Sequence, residues 1–274
     1  VSGPARSSAP PAGTVSTDLE RRAARARLLA GEAPEVSEPL RFAAGLYAAQ
    51  ARAADAIEDR HARGPLCGTL ARDVACLVEP AAEIYRYASE AGPPALAEAA
   101  GSRRDELPET ASARLLVSWE ADRTGDDYLS RAALRPYVAV LRRWNVAPNR
   151  PHRPGRCPFC GGAPSLGALR DGGEMEGARR FLVCALCGEE WAFARLRCPA
   201  CSEEDPYKLP SFRADTHAGV RIEVCETCRR YVKSFDLSED ARPIPEVDDL
   251  LSLSLDLWAR AQGFERIEPG LAGI

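Results

Sequence analysis

Through the first half of the chain, apolar residues return every three or four positions, the period of a helix face packed on a core. Phe42, Ala43, Leu46, Tyr47 and Ala49 mark one such segment. It opens on Ser37-Glu38-Pro39, where Ser37 suits the cap and Pro39 tolerates the first turn. A second segment runs from Thr69 to Glu90, with Leu70, Val74, Leu77, Val78, Ala81, Ile84 and Tyr85 on one side. Pro80 is expected to kink or split it. A third spans Pro108 to Ala121 and carries Leu115, Leu116 and Trp119. A fourth, Asp127 to Trp144, aligns Leu129, Ala133, Leu134, Tyr137, Val138 and Leu141, with a break expected at Pro136. No period-two alternation competes with these patterns. They predict an all-α domain of four to six helices over 18–146, behind a leader (1–17) of Ala, Ser, Pro and Gly that reads as disordered.

The pattern changes at Asn145. Three prolines and no periodicity up to Gly155 predict a linker over 147–155. Short β-prone runs follow: Phe181–Val183, Trp191–Phe193, Arg221–Val224 and Tyr231–Val232. Pro243-Ile244-Pro245 then punctuates the chain. A last amphipathic helix within 247–274 is expected to start near Asp248, to carry Leu250, Leu251, Leu253, Leu255, Leu257 and Trp258, and to stop at Gly263.

Cysteine spacing supplies the chemistry. Four CxxC knuckles stand at Cys157/Cys160, Cys184/Cys187, Cys198/Cys201 and Cys225/Cys228, and a shift of 41 residues carries the first two onto the last two. Pro158 and Pro199, Phe181 and Ile222, and Val183 and Val224 repeat with them. A CxxC turn presents two thiolates on one tight loop. Two such turns face to face make a closed tetrahedral site with no position open to substrate. Sequential pairing gives a first site of Cys157, Cys160, Cys184 and Cys187 and a second of Cys198, Cys201, Cys225 and Cys228. It is favoured over a cross-brace because it makes each repeat a complete unit, 156–196 and then 197–246. Such modules are too small for a core of their own, so metal binding worth about 10–16 kcal/mol supplies their folding energy. Four thiolates suit zinc and a single iron alike. Small residues after the second cysteine (Gly161, Gly188, Ser202) help the knuckle turn. Arg229-Arg230, where the first repeat has Gly188-Glu189, makes the second site look the more structural of the two.

Charge narrows the function. The net charge of the chain is −4 and its pI about 5.6. The first 150 residues balance 20 Arg against 20 carboxylates, so the whole excess lies in the half that carries the knuckles. That is the wrong sign for a zinc ribbon gripping nucleic acid, and no nucleic-acid partner is expected. No apolar run approaches the roughly 20 residues of a membrane span. Arg21-Arg22 is followed by further arginines rather than by a signal core. A cytoplasmic, reducing location follows, in which paired cysteines read as metal ligands rather than disulfides.

Other candidates are weaker. Cys67 and Cys76 lack partners and read as ordinary buried or half-buried thiols. His61, His152 and His217 are scattered without ligand spacing, and the arginines around the linker (Arg142, Arg143, Arg150, Arg153, Arg156) read as solvated or as a dock for an acidic partner. No nucleophile elbow, phosphate loop or His-Glu metalloprotease pattern is present, so no catalytic residues are assigned and no enzyme is expected.

These residues resemble the formate dehydrogenase accessory protein family, FdhE. The resemblance is carried by Ala133-Leu134-Arg135-Pro136-Tyr137, Cys157-Pro158-Phe159-Cys160-Gly161, the run from Cys184 to Trp191, the two later knuckles and Val247-Asp248-Asp249-Leu250. It implies a helical domain, two tandem rubredoxin-like four-cysteine domains and a C-terminal helix. It implies further a cytoplasmic assembly factor that binds the catalytic subunit of a formate dehydrogenase and holds two metal ions on the eight cysteines, with iron favoured over zinc. The alternatives are a zinc-ribbon nucleic-acid binder and a rubredoxin-like electron carrier.

Overall fold

The computed structural model describes residues 14–121, 123–171, 178–238 and 240–273. The expected leader therefore lies outside the described residues as far as residue 13. Thr14 already caps the first helix, its side chain accepting from the amide of Thr17.

Helix α1 (Val15–Glu32) and helix α2 (Ser37–Arg63) pack along one another, and Ala23 and Ala26 of the first share one buried core with Ala43 and Ala44 of the second. Small side chains at the contact let two helices approach closely. Ser37 is the first residue of α2 rather than its cap, because a 3-10 turn at Pro34–Val36 leads directly into the helix. The second expected segment is divided into a single turn α3 (Leu70–Asp73), a 3-10 turn (Val74–Cys76) and helix α4 (Val78–Ala91). Pro80 sits in the first turn of α4, where its missing N–H costs nothing. Helices α5 (Pro94–Arg104), α6 (Pro108–Glu120) and α7 (Tyr128–Arg143) follow, the last capped by Asp127 accepting from Ser130.

Pro136 does not break α7. A proline there removes the donor that the Ala132 carbonyl would use. Gln50 of α2, buried at 1 % exposure, donates its side-chain amide to that carbonyl at 2.9 Å and replaces the lost bond.

Beyond the helices the described strands form one sheet, in which the two four-cysteine units lie side by side. Strand β1 (Pro164–Arg170), β2 (Arg179–Cys184) and β3 (Glu190–Ala192) are antiparallel, as are β4 (Ser211–Arg213), β5 (Val220–Cys225) and β6 (Arg230–Asp236). The order is β3-β2-β1-β6-β5-β4, and β1 joins β6 in parallel, Leu166 opposite Lys233. Strands β2 and β5 occupy corresponding positions of the 41-residue repeat. The duplicated units are thus fused edge to edge. Gly167 permits the fusion, since a Cβ there would lie 2.1 Å from the Ser234 hydroxyl.

The expected C-terminal helix is built in pieces: α8 (Pro245–Asp248), a 3-10 turn (Asp249–Ser252) and α9 (Leu253–Ala261). Gly263 turns the chain at φ +76° into a short strand, β7 (Glu265–Arg266), against β6. This segment joins the two halves. Glu246 accepts from Arg22 of α1 at 2.7 Å and from Arg135 of α7 at 2.6 Å, and Asp248 accepts from Arg25. The next residue faces the other way. Asp249 takes both arms of Arg266 at 3.0 Å and pairs with Lys233, and Asp256 accepts from Tyr231 at 2.9 Å and from Lys233. Lys233 and Asp256 have no exposed surface.

Candidate metal centres

The second knuckle of each repeat is delivered by a strand end: β2 ends on Cys184 and β5 on Cys225. Each knuckle closes by one backbone bond from the residue after its second cysteine to the carbonyl of its first: Gly161 to Cys157 at 2.9 Å, Gly188 to Cys184 at 3.1 Å, Ser202 to Cys198 at 2.9 Å and Arg229 to Cys225 at 2.9 Å. All four donors have left-handed backbone, at φ +69°, +70°, +65° and +56°. Glycine adopts this region freely, so the first centre is turned without strain and the second is not.

The structure brings the cysteines together in the sequential pairing. Cys157, Cys160, Cys184 and Cys187 place their sulfurs within 4.8 Å of one another, and so do Cys198, Cys201, Cys225 and Cys228. The Sγ separations are 3.4 Å for Cys160 and Cys184, 3.5 Å for Cys160 and Cys187 and 3.6 Å for Cys157 and Cys187. In the second centre they are 3.7 Å for Cys198 and Cys228 and 3.6 Å for Cys201 and Cys225. A tetrahedron with bonds of about 2.3 Å has edges of about 3.8 Å, whereas a disulfide needs about 2.05 Å. The donor set and its spacing fit a tetrahedral thiolate-loving cation at each centre.

Protonation points the same way. In the first centre hydrogen bonding with Cys157 and Cys184 pushes Cys160 well up, and burial together with the neighbouring sulfurs pushes Cys187 up. Burial acts upward on Cys184 as well, yet bonds from Cys157, Cys160 and Cys187 overcome it and hold that thiol well down. A bound cation takes the place of the protons that crowded thiols otherwise hold. Backbone amides add to the charge stabilisation, Leu186 donating to Cys184 and Ala200 to Cys198 at 3.4 Å each.

The two centres differ in their surroundings. Cys157, Cys160 and Cys184 have no exposed surface and share one apolar core with Leu134, Tyr137, Leu141 and Leu186. Arg142 of α7 donates to the Cys187 carbonyl at 3.2 Å and pairs with Glu189. Arg150 reaches the Cys160 carbonyl at 3.5 Å while stacking on Trp119. In the second centre Cys198 and Cys225 are buried, Cys228 is half-buried and Cys201 is exposed. The inference from Arg229-Arg230 is thus reversed, and the first centre is the one built into the core. Residues 147–155 form no helix or strand. Asn149 bonds to the Gly68 carbonyl at 2.8 Å, and Arg142, Arg143 and Arg150 have partners within the chain.

The remaining candidates stay apart from both centres. Cys67 is exposed, not buried, and contacts the Asp73 carboxylate, while Cys76 is half-buried. His61 accepts from the Leu66 amide and packs on Trp144, His217 bonds to Ser254, and His152 is exposed.

A helical body joined to a sheet bearing two four-cysteine knuckle centres defines the class. Residues 156–195 match the FdhE central domain and residues 196–271 the FdhE C-terminal domain. An FdhE homolog of Aquifex aeolicus is 37 % identical over 117 residues, covering 43 % of this chain and 41 % of the relative. One of Pseudomonas putida is 37 % identical over 120 residues, covering 42 % and 37 %. These matches span about two fifths of the relatives' length. An FdhE homolog of Pectobacterium atrosepticum is 29 % identical over 267 residues, 89 % of this chain and 84 % of the relative. The crystal structure of FdhE from Pseudomonas aeruginosa has the same fold, with a TM-score of 0.67 at 23 % identity over 93 % of this chain and 95 % of that one.

Proposed function

We propose that this chain is a cytoplasmic, non-catalytic assembly factor that binds the catalytic subunit of a respiratory formate dehydrogenase and holds two metal ions, iron in preference to zinc. The observation that carries the reading is the pair of four-sulfur centres on one sheet in an FdhE fold. Closed tetrahedral sites with all four positions filled by protein sulfur leave no place for substrate, which favours holding shape over catalysis. Bound metal supplies folding energy and charge there, and the chain's own groups do the rest. The knuckle amides stabilise the thiolates. Arg142 and Arg150 bring positive charge beside the first centre, and the Glu246–Asp249 segment fixes the sheet against the helices. A rigid two-part surface of this kind suits the capture of a large folded client.

The test is a pulldown of the formate dehydrogenase catalytic subunit with the metal-loaded full chain. Retention of the subunit at physiological salt is expected. Failure to retain it, together with salt-dependent binding to random DNA or RNA, would replace the assembly reading with the nucleic-acid one.

A further inference from the structure

The knuckle interiors differ between the repeats in a way that decides which centre meets solvent. At corresponding positions the first repeat has Phe159, Ala185 and Leu186, and the second has Ala200, Glu226 and Thr227. The first set is turned inward: Ala185 and Leu186 are 3 % and 1 % exposed, and Phe159 packs against the helical core. Ala200, Glu226 and Thr227 are all exposed. Polar residues at these places cannot enter an apolar core without loss of hydration, so the second pair of knuckles stays at the surface. Thr227 instead donates to Glu203, and Glu226 pairs with Arg229. Cys201 is left facing water where its counterpart Cys160 has no exposed surface.

From this we infer that the second centre is an exchange site, at which Cys201 is the first ligand to leave and a soft divalent or trivalent cation is gained or lost, while the first centre keeps its ion for as long as the core is folded. Exchange at a four-thiolate ion needs an incoming ligand or proton to reach a metal–sulfur bond. At Cys201 that path is open in the native state. At Cys157, Cys160 and Cys184 it opens only when the helices separate from the sheet, an event on the scale of global unfolding. Strain acts in the same direction, since Ser202 and Arg229 hold left-handed backbone that glycine provides in the first centre. The inference rests on the metal reading of the cysteines.

The test uses the full chain loaded with two equivalents of zinc and mixed with an excess of a chromophoric chelator. Two phases of one equivalent each are expected, the faster by about tenfold or more. Cys201→Ser should remove the fast equivalent and leave the slow one. On the unsubstituted zinc protein, peptide-resolved labelling with iodoacetamide should modify Cys201 well before Cys160, with the exposed Cys67 as internal reference. Release of both equivalents in one phase, or labelling of Cys160 as early as Cys201, would overturn the inference while leaving the metal reading in place. Failure to take up zinc at all would overturn both.

Discussion

Cys160 and Cys201 stand 41 residues apart at the same point of a repeat, and one is sealed in the core while the other faces water. The ligand chemistry is the same at both. The difference comes from what the helices cover: α7, Arg150 and Leu186 close over the first centre, whereas the knuckles of the second carry the exposed polar residues Glu226 and Thr227. The protein therefore has one centre joined to its helical core and one at its margin.

Replacing Cys157 and Cys160 together by Ser should release one metal equivalent and lower the helical melting transition as well. Loss of the metal leaves polar groups and a void in the core that contains Leu134 and Leu141. The Cys198→Ser, Cys201→Ser pair should release the other equivalent with a much smaller change in that transition. Circular dichroism melts of both variants decide the matter. Unchanged helical melting in the first variant would show that the helices fold independently of the sheet.

Glu246→Gln should cost about 3–5 kcal/mol, because it leaves the Arg22 and Arg135 guanidiniums buried without their shared carboxylate. Urea unfolding with a constant m-value is the measurement. A loss below about 1 kcal/mol would mean that water replaces the carboxylate and that the junction is open.

The same carboxylate sets a pH dependence. Burial acts to raise Glu246, but Arg135 and Arg22 outweigh it and hold its pKa below the ordinary 4.5; Arg266 and Lys233 likewise hold Asp249 below 3.8 against burial. Both folded values are depressed. Their stabilisation is complete above the unfolded values and is lost as pH falls through the folded ones. Stability from these groups should be level from neutrality to about pH 5 and decline below about pH 4.5. The stability gap between the parent and Glu246→Gln should narrow over that decline. A gap that stays constant down to pH 3 would contradict the assignment.

The helical segments were legible where apolar residues recur, and the cysteine pairing was legible because the repeat is carried by the ligands themselves. Other parts gave no local signal. In α5 only Ala100 is buried, so no stripe marks it. Strand β1 is buried on both faces and shows no alternation, and its parallel pairing with β6 joins segments more than sixty residues apart in the chain. Lys233, Asp249, Asp256 and Arg266 form a buried charged cluster, and charged residues in a pattern read as surface. The polarity of Glu226 and Thr227 was present in the sequence, but its meaning depends on knowing that the helices cover the other repeat.

Gln50→Leu should cost about 1–3 kcal/mol by leaving the Ala132 carbonyl buried without a donor. Pro136→Ala supplies the missing N–H, so combining the two should recover most of the loss. Thermal unfolding of the four proteins forms a double-mutant cycle. Strict additivity would show that Gln50 and Pro136 are not coupled.

Metal content tests the account most directly. Full-length protein purified without oxygen should carry two metal equivalents, one lost on Cys160→Ser and the other on Cys201→Ser, with the four thiols of the first centre protected from a thiol reagent until metal is removed. Iron at these centres gives visible sulfur-to-metal absorption, which zinc does not. Protein that holds no metal and presents all eight knuckle thiols to the reagent at once would contradict the account.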